Sequence, residues 1–76
     1  MQLYLGGYLD YYNPERGNWL EVKLSQPSQL GEVLTKLGIP MSEVHLVVLN
    51  GKLVDISKAI VSEEDELKLF PAVGGG

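Results

Sequence analysis

The last seven residues, Phe70-Pro71-Ala72-Val73-Gly74-Gly75-Gly76, carry the most distinctive chemistry of the chain. Pro71 stiffens the segment once, and three glycines finish it. A residue without a Cβ fits a channel where any side chain would clash, so Gly74 and Gly75 suit threading into a narrow partner site. The reactive group is the α-carboxylate of Gly76. A carboxylate is a poor acyl donor until it is activated, for example as an acyl-adenylate. A sulfur or nitrogen nucleophile can then attack its carbonyl carbon. The segment reads as a carrier arm.

The remaining side chains offer little catalysis. There is one histidine, His45, and no cysteine. That excludes a thiolate metal site, a thiol nucleophile, a disulfide framework and thiol redox chemistry, and it leaves His45 without a partner ligand. Five serines occur without a Gly-x-Ser-x-Gly motif, and neither Gly-x-Gly-x-x-Gly nor a phosphate-binding P-loop is present. The expectation is a chain that is not an enzyme on its own and binds no metal or cofactor.

Composition bounds the partners. Seventy-six residues allow one domain, expected to span 1–76 with 71–76 as a flexible tail. A net charge of −4 argues against nucleic acid. The longest apolar run, Leu46-Val47-Val48-Leu49, is far short of the roughly 20 residues that cross a bilayer, and no basic segment precedes Leu3, so a cytoplasmic protein without membrane contact is expected. Glu63, Glu64, Asp65 and Glu66 form an acidic turn, read either as a solvated turn or as a rim steering a basic partner to the neighbouring strand and tail.

The elements that must position the arm follow from periodicity. Leu3, Leu5, Tyr8 and Leu9 suggest an opening strand interrupted by Gly6-Gly7, and Asp10 to Asn18 reads as a loop. Leu20, Val22 and Leu24 alternate with Trp19, Glu21 and Lys23 as in a half-buried strand. Leu30, Val33, Leu34 and Leu37 form one helical stripe, with Ser28 as expected N-cap, Gly38 in the left-handed terminating position and Pro40 beyond it. Val44 to Leu49 and Lys52 to Val54 flank Asn50-Gly51, a type I′ turn signal. Ile56 to Ile60 suits a short 3₁₀ turn, and Glu66 to Phe70 is the last strand.

One helix on one sheet is a two-layer α+β domain. Parity places Val47, Leu49, Val54, Leu67 and Leu69 towards the helix. Val48, Leu53 and Phe70 then lie on the open face as a partner-binding patch, extended by Pro71 and Val73 towards the arm. On this placement Phe70→Ala weakens docking with little loss of stability. Tyr11, Tyr12 and Trp19 border the 10–18 loop and are expected to fold over core edges.

The chain resembles the MoaD/ThiS family of ubiquitin-like sulfur carrier proteins. Three stretches carry the likeness: Val47-Val48-Leu49-Asn50-Gly51, Glu64-Asp65-Glu66-Leu67-Lys68-Leu69-Phe70-Pro71, and the terminal Gly75-Gly76. The Ser28 to Gly38 helix falls in the matching place. Position 74 is glycine where many members have alanine or serine. The 10–18 loop is shorter than the helical insert of many MoaD proteins and longer than a tight ThiS hairpin.

The resemblance implies a β-grasp fold, a mixed sheet whose first and last strands are central and parallel, with one main helix on one face. It implies that a ubiquitin-activating-type enzyme (MoeB/ThiF-like) adenylates Gly76 with ATP bound on the partner, and that sulfur transfer leaves a C-terminal thiocarboxylate. In the MoaD branch the chain works as the small subunit of molybdopterin synthase beside its large subunit. In the ThiS branch sulfur goes to thiazole synthase and the thiazole of thiamin. Phe70-Pro71 before the tail leans towards MoaD. A ubiquitin-like modifier conjugated to lysines, and a simple interaction module, are the competing readings.

Overall fold

The computed structural model describes residues 1–72, and it builds a β-grasp domain from alternating apolar strands around one helix. β1 (Gln2–Leu5), β2 (Trp19–Glu21), β4 (Leu46–Leu49), β5 (Lys52–Val54) and β7 (Glu66–Phe70) form a five-stranded sheet in the order β2-β1-β7-β4-β5. β1 and β7 are parallel and central, with Leu3 opposite Leu67 and Leu5 opposite Leu69; every other pairing in this sheet is antiparallel. All four of these leucines are fully buried. They pack on α1 (Leu30–Leu37) through Leu30, Val33 and Leu34, with Leu37 half-buried at the edge.

Both ends of α1 show how local signals met tertiary ones. At its end Gly38 is left-handed, with φ 75. The Ile39 N–H donates to the Leu34 carbonyl at 2.9 Å and the Gly38 N–H to that of Thr35 at 3.1 Å, which closes a Schellman motif. At its start Ser28 is not the cap. Ser28 and Gln29 form β3 (Ser28–Gln29), paired with β6 (Ile60–Val61) in a separate two-stranded sheet. This extended pairing turns the Ser28 hydroxyl away to the Gln26 carbonyl, and Gln29 becomes a cap without a side-chain bond. The Leu30 N–H instead donates to the Ala59 carbonyl at 3.0 Å, a satisfaction no local pattern encodes.

The opening segment also differs from a single interrupted strand. β1 stops at Leu5, and Gly7–Tyr12 is a 3₁₀ helix that buries Leu9. Asn13 then fastens the loop. Its amide donates to the carbonyls of Arg16, Gly17 and Trp19, and its carbonyl accepts from the Glu15 N–H. A second 3₁₀ turn, Met41–Glu43, precedes β4. The Asn50-Gly51 turn has φ 51 and φ 86, as a type I′ hairpin demands. Ile56 to Lys58 is a turn closed on the Asp55 carbonyl, and Ile60 belongs to β6 rather than to that turn.

Candidate functional site

β7 brings the arm to one end of the sheet. Its inward residues, Leu67 and Leu69, lock it between β1 and β4, so its outward residues, Lys68 and Phe70, have fixed places on the open face. Register completes that face: Lys68 lies opposite both Tyr4 and Val48, Val48 opposite Leu53, and Phe70 opposite Leu46. The structure therefore brings together Val48, Leu53 and Phe70 as parity expects. Leu53 is 70% exposed, while Val48 and Phe70 are half-buried. Val47, Leu67 and Leu69 are buried on the helix side, and Leu49 and Val54 pack half-buried against the same core.

Three further residues belong to the open face. Tyr4 stacks edge-on to Trp19 at 5.1 Å between ring centroids and meets Phe70 at 5.9 Å, while Leu46 is 44% exposed beside Phe70. Tyr4 carries a readable signal, alternating with Leu3 and Leu5, but its neighbours come from two pairings, Trp19 across β1–β2 and Phe70 across β1–β7. The result is a band of aromatic and aliphatic side chains around Lys68. Scattered exposed apolar residues are ordinary; six that share one sheet face and adjoin the arm form a contiguous surface.

Pro71 departs from its expected role. It is buried, seated against Gly7, where a Cβ would lie 2.7 Å from Pro71 Cγ. It is part of the packed root of the arm and neither an exposed contact nor the start of a free tail. Ala72, next along, is exposed. Val73, Gly74, Gly75 and Gly76, the residues expected to thread into a partner and to carry the reactive carboxylate, lie outside the described residues.

The acidic turn is also not beside the arm. Glu66 opens β7 and Phe70 closes it, so four residue steps of about 3.3 Å place the turn roughly 13 Å away at the opposite end of the sheet. Two of its carboxylates accept internal hydrogen bonds, and a third, Glu66, lies 4.0 Å from the Lys68 ammonium. Glu63 accepts from the Met1 amino group at 2.8 Å and from the Leu24 N–H at 3.1 Å, and the amino group's hydrogen bond holds its carboxyl below the usual range. Asp65 accepts from the Asn50 amide and the Ser62 N–H, while Asn50 accepts from the Glu66 N–H. The turn clamps the start of β7 to the β4–β5 hairpin.

His45 lies one residue before β4, exposed, its N–H donating to the Phe70 carbonyl at 2.8 Å. Among the described residues no three His, Cys, Asp or Glu side chains converge as a metal site. Of the loop aromatics, Tyr12 packs on the core edge and donates to Glu43. Tyr11 is 82% exposed and Trp19 lies on the open sheet face, so neither covers a core edge as expected. Among the described residues no helix is long and apolar enough to cross a membrane.

The fold has known counterparts. A crystal structure of the thiamine biosynthesis protein ThiS from Geobacter metallireducens superposes with a TM-score of 0.60 at 21% identity, covering 100% of both chains. No curated protein matches the sequence. The family model of the ThiS family matches residues 10–76, which takes in β2, β4, β5 and β7 of the open face but not β1, together with Phe70-Pro71 and the terminal glycines. Proteins of this family are small, non-catalytic sulfur carriers of the MoaD/ThiS type that work with an adenylating enzyme and a synthase partner. With a match that runs over most of its length, the chain belongs to the ThiS family.

Proposed function

We propose that the chain carries sulfur on Gly76. The observation that supports this most is the family match over residues 10–76, terminal glycines included, on a fold whose central strand β7 ends at Phe70, six residues before Gly76. In the proposed cycle the open face, centred on Lys68 and Phe70, docks on an adenylating enzyme. A carboxylate oxygen of Gly76 bonds to the α-phosphorus of ATP held by that enzyme, and pyrophosphate leaves. Hydrosulfide then bonds to the acyl carbon. AMP departs with the electrons of the broken C–O bond and a thiocarboxylate remains. Gly74 and Gly75 admit the arm to the partner's channel, and the carrier needs no cysteine because the sulfur rides on the carboxyl carbon.

The acceptor we place first is the precursor of molybdopterin, the chain serving as the small subunit of the synthase beside its large subunit; Phe70-Pro71 before the tail supports this branch by resemblance. A second reading, delivery to thiazole synthase, is favoured by the end-to-end similarity to a thiamine biosynthesis protein. The test is the intact mass of the protein after incubation with ATP, a sulfide source and its adenylating enzyme. One oxygen replaced by sulfur, localised to Gly76, is the expected result. An unchanged mass beside conjugates on lysines would instead make the chain a protein modifier. Supplying the sulfurated chain to each synthase in turn separates the two acceptors.

A further inference from the structure

The chain leaves its last strand over a pair of glycines, Gly6 and Gly7. Gly6 has φ −79 and ψ 162, an extended conformation open to any residue, so its missing side chain answers to space and not to backbone geometry. A Cβ there would lie 2.7 Å from Phe70 Cδ1 and 3.0 Å from the Leu69 carbonyl oxygen. The Gly6 N–H donates to that same carbonyl at 2.8 Å, drawing the end of β7 close. Gly7 follows with φ 52, and a Cβ on it would press on Pro71 Cγ at 2.7 Å and Cδ at 3.2 Å. On the opposite side of β7 the His45 N–H holds the Phe70 carbonyl at 2.8 Å. The residues on either side of the strand's exit are thus held by contacts from two elements distant in sequence.

We propose that Gly6 and Gly7 are positioning residues for the arm: together they form the seat that fixes the direction in which the chain leaves the sheet. The inference rests on the sulfur-carrier reading. Its physical basis is that the partner holds the open face while the Gly76 carboxylate must meet the α-phosphorus of ATP. Only an arm with the right take-off direction brings the two together, and a displacement of about 1 Å in such an alignment costs up to about 100-fold in rate. Docking depends on the outer side chains: the contact of Gly7 with the buried Pro71 bears on direction alone, whereas that of Gly6 also touches the docking residue Phe70.

The test follows pyrophosphate release by the chain's own adenylating enzyme as the concentration of carrier is varied. Gly6→Ala is expected to lower kcat about tenfold, with a rise in KM for the carrier no larger than that of Phe70→Ala, because the new Cβ also meets the Phe70 ring of the docking face. Mere loss of folded protein would do the reverse, raising KM at unchanged kcat. Pro71→Ala, which empties the Gly7 seat without adding bulk, is expected to lower kcat in the same way, and it decides the matter if Gly6→Ala does not fold. On a Phe70→Ala background, where the ring that meets the new Cβ is gone, Gly6→Ala is expected to cost less than about threefold. An active wild-type chain with kcat unchanged in Gly6→Ala, or in Pro71→Ala where Gly6→Ala does not fold, would overturn the proposal. A wild-type chain that releases no pyrophosphate would overturn the carrier reading itself.

Discussion

Asn13 shows what a single side chain does here. It is 4% exposed, and its amide serves three carbonyls in a loop that carries Arg16 at φ 64 and Gly17 at φ 89. Asn13→Ala strands those acceptors and is expected to cost about 2 kcal/mol in a urea melt, the scale of a buried polar group left without its partner. Tyr12 works through ionisation. Its hydrogen bond to Glu43, then burial, then the negative charge of Glu43 raise its pKa from 10.0 to about 12. A phenol raised on folding stabilises the fold fully below its unfolded pKa, and that contribution is lost as pH climbs through about 12. Wild-type protein is therefore expected to lose stability between about pH 10 and 12 more steeply than Tyr12→Phe. Parallel stability curves for the two proteins across that range would refute the coupling.

At the scale of elements, legibility tracks the range of the forces involved. The helical stripe from Leu30 to Leu37, the Gly38 terminator, the Asn50-Gly51 turn and the inward parity of Leu67 and Leu69 depend on near neighbours, and each stands as its pattern implies. Ser28 fails as a cap because β6 captures it, and the opening strand stops at Leu5 because Gly7 turns to receive Pro71. Both causes lie far along the chain. The site divides in the same way: Val48, Leu53 and Phe70 follow from alternation, whereas the burial of Pro71 and the contact of Tyr4 with Phe70 need the parallel β1–β7 pairing. That pairing also revises the stability expected of Phe70. Its ring is half-buried between Tyr4 and Gly6, so Phe70→Ala is expected to cost roughly 1–2 kcal/mol in a thermal or urea melt, above a solvent-exposed truncation and below the ~3–5 kcal/mol of a fully buried one. A loss at the upper figure would mean that the ring belongs to the core and is not available for docking.

At the scale of the molecule, packing and chemistry occupy separate regions. The buried cluster runs from Met1 to Leu69 and takes in α1 and all three central strands, and Pro71 closes it at the arm's root. In the acidic turn Asp65 ties the far end of β7 to the Asn50 turn and Glu63 holds the Met1 amino group, while the apolar band with Lys68 at its centre faces outward between that turn and the arm. Cutting the chain after Gly74 removes two residues beyond every described core contact. The truncated protein is expected to melt within about 2 °C of the full chain, since even 1 kcal/mol would move the midpoint of a domain this size by roughly 4–8 °C. It is expected to compete with the full chain for the adenylating enzyme at a similar concentration, because the open face is intact, yet to release no pyrophosphate, because the nucleophilic carboxylate no longer reaches the nucleotide. A fall in midpoint beyond about 8 °C would place the terminal glycines in the fold. Retained pyrophosphate release would show that the end of the chain does not carry the reaction.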